Sequence, residues 1–235
     1  MCFVCICLSK FRCVAEVLTA VAMLSTDNIF LQPHREDLKL LAHQAHRRFA
    51  LKDGDLLSLV NIYDSWIQAH RDAAWTKENF FSQRALTYAH NIRNQLKVLL
   101  EKIGVDTSIS CAPEKLPFMQ CLADGLSTQV AKRIAFMDAA KGNEPSGAPY
   151  KTLVGGQPVH IHPSSVLFSN KKLPEYVVYS ELLLTSKLYM RNIGVIDGEM
   201  IPRRNEVAPA IINGNITGIN TGNKPIKSVA GFSKR

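Results

Sequence analysis

The chain has 235 residues and a mass of 26.1 kDa, room for one sizeable domain or two small ones. Hydrophobic residues make up 46%, charged residues 20%, and mean hydropathy is −0.02, which excludes a polytopic membrane protein and a wholly disordered chain. The formal net charge of +8, with a pI near 9.2, points to an anionic partner, of which nucleic acid is the usual one.

Residues 1–11 read as an irregular leader. Cys2, Cys5, Cys7 and Cys13 crowd this end, while Cys111 and Cys121 lie far away. A secreted disulfide scaffold is shorter and spreads its cysteines through the fold, and a structural zinc site wants two close pairs separated by a loop. Neither pattern is present, so reduced, unligated thiols in a cytosolic or nuclear compartment are the expectation and no metal is assigned. The first 24 residues are apolar enough to suggest a signal peptide, but Lys10, Arg12 and Glu16 interrupt the stretch where its apolar core should run. No apolar run approaches the roughly 20 residues needed to span a bilayer, and no membrane partner is expected.

Residues 12–140 read as a helical bundle. Val14, Val17, Leu18, Val21 and Leu24 fall on one face of a first helix. Leu38, Leu41, Ala42, Ala45 and Phe49 mark a second stripe. Leu56, Leu59, Val60, Tyr63, Trp66 and Ile67 mark a third, opened by Asp53-Gly54-Asp55, whose acids suit a helix N-terminus. A long helix is predicted over 76–103, with Ala85, Ala89, Ile92, Leu96, Leu99 and Ile103 inward and Gly104 as its C-terminal cap. A last one is predicted over 115–140, carrying Phe118, Leu122, Leu126, Val130 and Ile134. Stripes of this length can bury one another.

At residues 141–149, rich in Gly, Pro and Asn, the pattern changes, and this stretch reads as a linker. Residues 150–202 then read as short strands over 150–154, 159–161, 176–184 and 189–196, with a turn at Gly155-Gly156. Short strands with Gly and Pro turns suggest a small barrel of the oligonucleotide-binding (OB) type. Residues 203–235 carry Arg203, Arg204, Lys224, Lys227, Lys234 and Arg235 against Glu206, so this stretch supplies five of the eight excess charges. It lacks periodicity and reads as a basic, disordered tail. Asn215-Ile216-Thr217 matches a glycosylation acceptor, which carries no weight without a secretory signal. The fold class expected is therefore α+β, a helical bundle followed by a small OB-type β-barrel, with flexible ends.

Gly-x-x-x-x-Gly-Lys-Ser/Thr, Gly-x-Gly-x-x-Gly, Gly-x-Ser-x-Gly and His-Glu-x-x-His motifs do not occur in this sequence. No catalytic residue is therefore assigned. His43 and His46 have helical metal-pair spacing but no carboxylate or cysteine set beside them. His160 and His162 alternate on a predicted strand, which turns both rings to one side, where they can touch phosphate or a base. Ser164 follows in Pro163-Ser164-Ser165, and hydroxyls of this kind hold phosphate oxygens. Thr185, Ser186, Lys187 and Arg191 form a second polar cluster between two apolar strands, able either to neutralise a nucleic-acid backbone or to serve as a solvated hairpin end. Tyr176, Tyr179 and Tyr189 can stack on bases, but on apolar strands the default is core.

The run Val159-His160-Ile161-His162-Pro163-Ser164-Ser165-Val166-Leu167-Phe168, then Pro174-Glu175-Tyr176-Val177-Val178-Tyr179-Ser180-Glu181-Leu182 and Thr185-Ser186-Lys187-Leu188-Tyr189-Met190-Arg191, resembles the C-terminal barrel of DEAH-box RNA helicases. Upstream, Glu16-Val17-Leu18-Thr19-Ala20-Val21-Ala22-Met23-Leu24-Ser25, the Asp53–Leu59 words, Tyr63, Trp66, and Trp75 with Glu78-Asn79-Phe80 are similar to the family's helicase-associated bundle. The match covers roughly residues 12–200. The resemblance implies a ratchet-like helical bundle and an OB barrel that pack against two motor domains and close over single-stranded RNA. It also implies a docking place nearby for G-patch-type activator proteins, and a nuclear or nucleolar setting in pre-mRNA splicing or ribosome assembly.

ATP and magnesium are implied only for the motor domains, whose phosphate loop, DEAH box and arginine finger do not occur in this sequence, nor does the winged helix that precedes the bundle. The tryptophan usual after the last barrel strand is replaced near Gly198-Glu199-Met200-Ile201. The expectation is a truncated product or a free-standing accessory piece, inactive as an ATPase by itself. RNA contact is expected from His160, His162, Ser164, Thr185, Ser186, Lys187 and Arg191. A non-catalytic protein-interaction module is the alternative.

Overall fold

The computed structural model describes residues 10–134, 150–170 and 172–202. Most of the leader with Cys2, Cys5 and Cys7, the linker at 141–149, the tail at 203–235 and the Asn215 match lie outside the described residues.

Helix α1 (Val14–Leu24) buries side chains on more than one face. Val14 and Leu18 meet Leu100, while Val17 and Ala20 meet Leu56, Leu57 and Val60. Met23 reaches Ile62 and Trp66. A helix flanked in this way is the centre of the bundle, and its mixed apolar sequence suits that position. Helix α3 (Asp55–Gln68) packs Leu56, Leu59, Val60, Tyr63 and Trp66 of its predicted stripe inward, while Ile67, the last of the stripe, is exposed. Helix α2 (Glu36–Arg47) departs from expectation. Only Ala42 and Ala45 are buried, and Leu41 is exposed, because α2 touches the bundle along one narrow edge of small residues.

The helix expected over 76–103 is two helices, α4 (Ala73–Glu78) and α5 (Gln83–Lys102). The break is tertiary in origin. Phe81 is buried among Phe30, His46, Phe49 and Trp75. Its neighbours hydrogen-bond to a remote segment, Ser82 N–H to the Ile29 carbonyl at 2.8 Å and Leu31 N–H to the Phe80 carbonyl at 2.9 Å. Phe80 takes a φ of 55° to make the turn, and the Ser82 hydroxyl accepts the Ala85 N–H to cap α5. Gly104 closes α5 as expected, its N–H donating to the Glu101 carbonyl at 3.0 Å. Of the inward stripe, Leu99 and Ile103 are exposed and Leu100 is buried instead.

The helix expected over 115–140 stops early. Helix α6 (Leu116–Gly125) is followed by strand β1 (Val130–Arg133). Val130 and Ala131 satisfy helical spacing on paper, but Gly125 and the polar Ser127-Thr128 weaken the helix there, and two neighbouring strands supply backbone partners. The barrel thus begins at Val130, upstream of residues 141–149, which connect its first two strands.

β2 (Tyr150–Thr152), β3 (Pro158–Ile161), β4 (Tyr176–Leu184) and β5 (Leu188–Ile196) complete a closed barrel in the order β1-β2-β3-β5-β4. All pairings are antiparallel except β3 with β5, the arrangement of an OB fold. Tyr150, Val159, Ile161, Val177, Tyr179, Met190 and Ile193 fill it. Bundle and barrel share a second core, in which Leu56, Phe118 and Leu122 meet Val130, Val178 and Ile196. No helix of the described residues is long and apolar enough to cross a membrane.

Candidate nucleic-acid interface

Strand alternation builds the face. On β3, Val159 and Ile161 point inward and His160 outward, and His162 continues the outward row just past the strand. β5 runs parallel to β3, with Tyr189 beside His160, and sends Met190 inward and Arg191 outward. Asn192, at φ 52°, breaks the alternation so that Ile193 also faces the core, a backbone state that asparagine tolerates. The outcome is one row in which the Tyr189 ring sits between two imidazoles, 5.7 Å from each centroid. Tyr189 is therefore half-exposed rather than core, whereas Tyr179 is buried as the default has it. Nothing in the order of residues on β5 alone reveals this, because it depends on the parallel neighbour.

His162 is held by its own loop. Its Nδ1 accepts the Ser164 backbone N–H at 3.2 Å and lies 2.7 Å from the Ser164 hydroxyl. A backbone N–H can only donate, so the neutral ring carries its proton on Nε2. Burial lowers the pKa of both histidines, and nearby cations lower it further, Lys187 for His160 and Arg191 for His162. Near pH 7 both rings are neutral, and offer stacking and hydrogen bonding rather than charge.

The β4–β5 hairpin runs beyond the barrel wall, exposing residues 181–187. Its turn is closed by the Thr185 N–H donating to the Lys187 carbonyl at 3.0 Å. Thr185 and Ser186 are thus exposed at the tip, and Lys187 makes no ion pair with any described residue. Arg191, by contrast, is paired across the hairpin, its Nη1 2.8 Å from Glu181 Oε1. Of the seven expected residues, His160, Thr185, Ser186 and Lys187 make no side-chain hydrogen bond or ion pair with a described residue, whereas His162 and Ser164 bond each other and Arg191 is partly neutralised by Glu181. In OB folds the β2–β3 side and the β1–β2 and β4–β5 loops are the oligonucleotide-binding surface, and this row lies beside that hairpin loop.

One contact beside this face is not announced by the sequence. Asp55 suits a helix start by sequence, but its carboxylate reaches the barrel. Oδ1 accepts the Ser165 hydroxyl at 3.0 Å and the Val166 N–H at 2.8 Å, and Oδ2 accepts the Ile193 N–H at 2.9 Å. Burial raises its pKa, and these donors act in the opposite direction. Ser165 lies 110 positions along the chain from Asp55, and no local pattern announces such a contact.

The remaining candidates resolve structurally. His46 lies 3.0 Å from the Phe80 carbonyl through Nε2 and stacks on Phe81. Cys13 and Cys121 are buried, and the Cys111 thiol is pushed up to about 12, chiefly by burial and then by Glu16, so it stays protonated. Among the described residues no group of three or more His, Cys, Asp or Glu could hold a metal.

Comparison with known families agrees with this architecture. Residues 4–59 match the model of the ratchet-like helicase-associated domain (HA2), and residues 118–203 match an oligonucleotide/oligosaccharide-binding (OB) fold. The chain is 35% identical over 188 residues to the human probable ATP-dependent RNA helicase DHX35, covering 80% of this chain and 25% of that protein. It is 33% identical over 215 residues to the Arabidopsis thaliana pre-mRNA-splicing factor ATP-dependent RNA helicase DEAH10, covering 86% of this chain and 27% of that one. Against human DHX33 the identity is 36% over 194 residues, or 82% of this chain and 25% of that protein. The chain spans about a quarter of the length of these relatives. With an HA2 bundle joined to a closed OB barrel, it belongs to the DEAH-box RNA helicase family, as the C-terminal HA2 and OB region of such proteins.

Proposed function

We propose that this chain is the RNA-engaging part of a DEAH-box ATP-dependent RNA helicase and holds single-stranded RNA during remodelling in pre-mRNA splicing or ribosome assembly, in the nucleus or nucleolus. The carrying observation is the row of His160, Tyr189, His162 and Ser164 beside the Lys187 hairpin. Such a row offers ring faces for bases and donors for backbone oxygens, with one unpaired cation nearby. In this reading ATP and magnesium are taken by motor domains, and the role of this region is mechanical.

The test is a salt titration of fluorescent single-stranded oligouridylate binding. Lys187→Ala is expected to weaken binding and lower the slope of log affinity against log salt by about one. Tyr189→Ala is expected to lose about 1–3 kcal/mol with the slope unchanged. Absence of binding, or variants indistinguishable from wild type, overturns the assignment.

A second reading rests on Leu182, Leu183 and Leu184, exposed on the same hairpin. There the hairpin docks a protein, either a motor domain or a G-patch-type activator. Binding would then depend on these leucines and respond little to salt.

A further inference from the structure

The N-terminus of α3 is built into the barrel rather than merely packed on it. Asp53 accepts the Val195 N–H through its carbonyl at 2.9 Å, and Gly54 forms a bridge with Gly194. These contacts fix the backbone of α3 against β5, and Asp55 is the next residue. A carboxylate on the first turn of a helix ordinarily serves that helix's own free N–H groups. Here both oxygens are turned away to the barrel, and every donor they take comes from it.

The donors belong to two separate limbs of the candidate RNA face. Ser165 and Val166 follow directly on His162, Pro163 and Ser164, in the loop after β3. Ile193 follows on Arg191 and Asn192, in β5. One carboxylate therefore ties the loop that aims His162 and Ser164 to the strand that aims Arg191. The loop has one further tie to β5, the His162 N–H to the Met190 carbonyl at 3.1 Å. The Ser165 hydroxyl also accepts the Leu167 N–H at 3.2 Å, so losing Asp55 would free a small network rather than a single bond.

We infer that Asp55 is a positioning residue of the RNA-binding face: from the bundle it sets the spacing between the His162–Ser164 loop and Arg191, so that α3 and the RNA-holding surface move as one piece. The inference rests on the reading that this face holds RNA. It makes the bundle a determinant of how the barrel grips, through an acid that never touches the ligand.

The experiment uses the full 235-residue chain and fluorescent oligouridylate, measured well below the thermal midpoint of every variant. Asp55→Asn keeps the side-chain shape but sets an amide N–H₂ against donors, and is expected to weaken RNA binding about tenfold, the equivalent of one hydrogen bond to a charged group. Ser165→Ala removes one donor while leaving the carboxylate, and serves if Asp55→Asn does not fold. It is expected to weaken binding in the same direction and less.

Ile62→Val, a core change remote from the face, is the control for stability loss alone and should leave affinity unchanged. The decisive readout is a double-mutant cycle with His162→Ala. If Asp55 acts through the loop, its substitution has little further effect once His162 is gone. Additive losses, or a less stable Asp55→Asn protein that binds RNA like wild type, overturn the positioning role and leave RNA binding by this face standing. If the wild-type chain binds no RNA at all, the reading of the face fails, and the inference with it.

Discussion

Gly54 sits directly against the barrel, bridged to Gly194 of β5. Its φ is 111°, and a Cβ added there would stand 2.4 Å from the Ile193 carbonyl oxygen, a backbone atom. The backbone has no room to yield, because Asp53 is bonded to Val195 and the Gly54 carbonyl accepts both the Ser58 N–H and its hydroxyl. Gly54→Ala is therefore expected to destabilise the protein by about 3 kcal/mol or more, adding backbone strain to a clash. Gly194, its bridge partner, differs. Its added Cβ would meet side-chain carbons of Val178 at 3.1 Å and of Leu122 and Leu56 at 3.4 Å, all of which can shift slightly. Gly194→Ala is expected to lose about 1–2 kcal/mol by overpacking. Urea melts of the two variants should separate them in that order, and equal losses would mean that the α3 start is free to move.

At the scale of elements, the separation of α4 from α5 turns on local capping set against remote packing. Ser82→Ala removes the acceptor for the Ala85 N–H and is expected to lower stability by about 1 kcal/mol, with helix content nearly unchanged. Thermal melts with far-UV circular dichroism check both parts. The α4–α5 break itself was invisible in the sequence, because Thr76 to Ile103 keeps a helical period across it. What ends the helix is Phe81 inserting among rings from residues 30, 49 and 75, a preference no local window contains. The same holds for β1. Val130 and Ala131 fit a helix face and a buried strand equally, and only their partners on β2 and β4 decide. By contrast α1, α3 and β4 were legible, since each keeps one unbroken period over most of its length, although α1 shares its apolar residues among several neighbours and β4 ends in the exposed Leu182, Leu183 and Leu184. The candidate face was half legible. Alternation places His160 and His162 together, but Tyr189 joins them only through a parallel pairing, and Asp55 only through a contact between bundle and barrel.

For the whole molecule, the +8 charge proves a poor guide, since five of those charges belong to residues 203–235 while the face itself offers neutral rings and one unpaired lysine. The informative electrostatics are the titrating groups that folding has moved. His46 and His90 are both lowered from the ordinary 6.5, in each case first by burial; His43 adds to this for His46, and Arg71 and Arg93 for His90. With His160 and His162 they favour the neutral form in the folded state. The unfolded chain then binds protons first as pH falls, so the stability these groups contribute is complete above about 6.5 and is lost as pH drops through their lower folded values. Asp55 and Asp64 act oppositely. Burial raises both, so their charged forms oppose folding, and protonation returns stability as pH falls through their raised values toward the ordinary carboxylate range. The expected profile is a thermal midpoint that is highest near pH 7 to 8, falls below about 6.5 and less steeply as the carboxylates protonate, and falls again above about 9, where the unfolded Cys111 thiol ionises before the folded one. Both tryptophans, Trp66 and Trp75, lie in the bundle, so their fluorescence follows its unfolding while circular dichroism follows the whole fold. His46→Gln, which removes a half-buried titrating ring but keeps a donor for the Phe80 carbonyl, should be less stable than wild type at pH 7.5 and lose less between pH 7 and 5.5. An unchanged slope in that variant would place the acid sensitivity elsewhere.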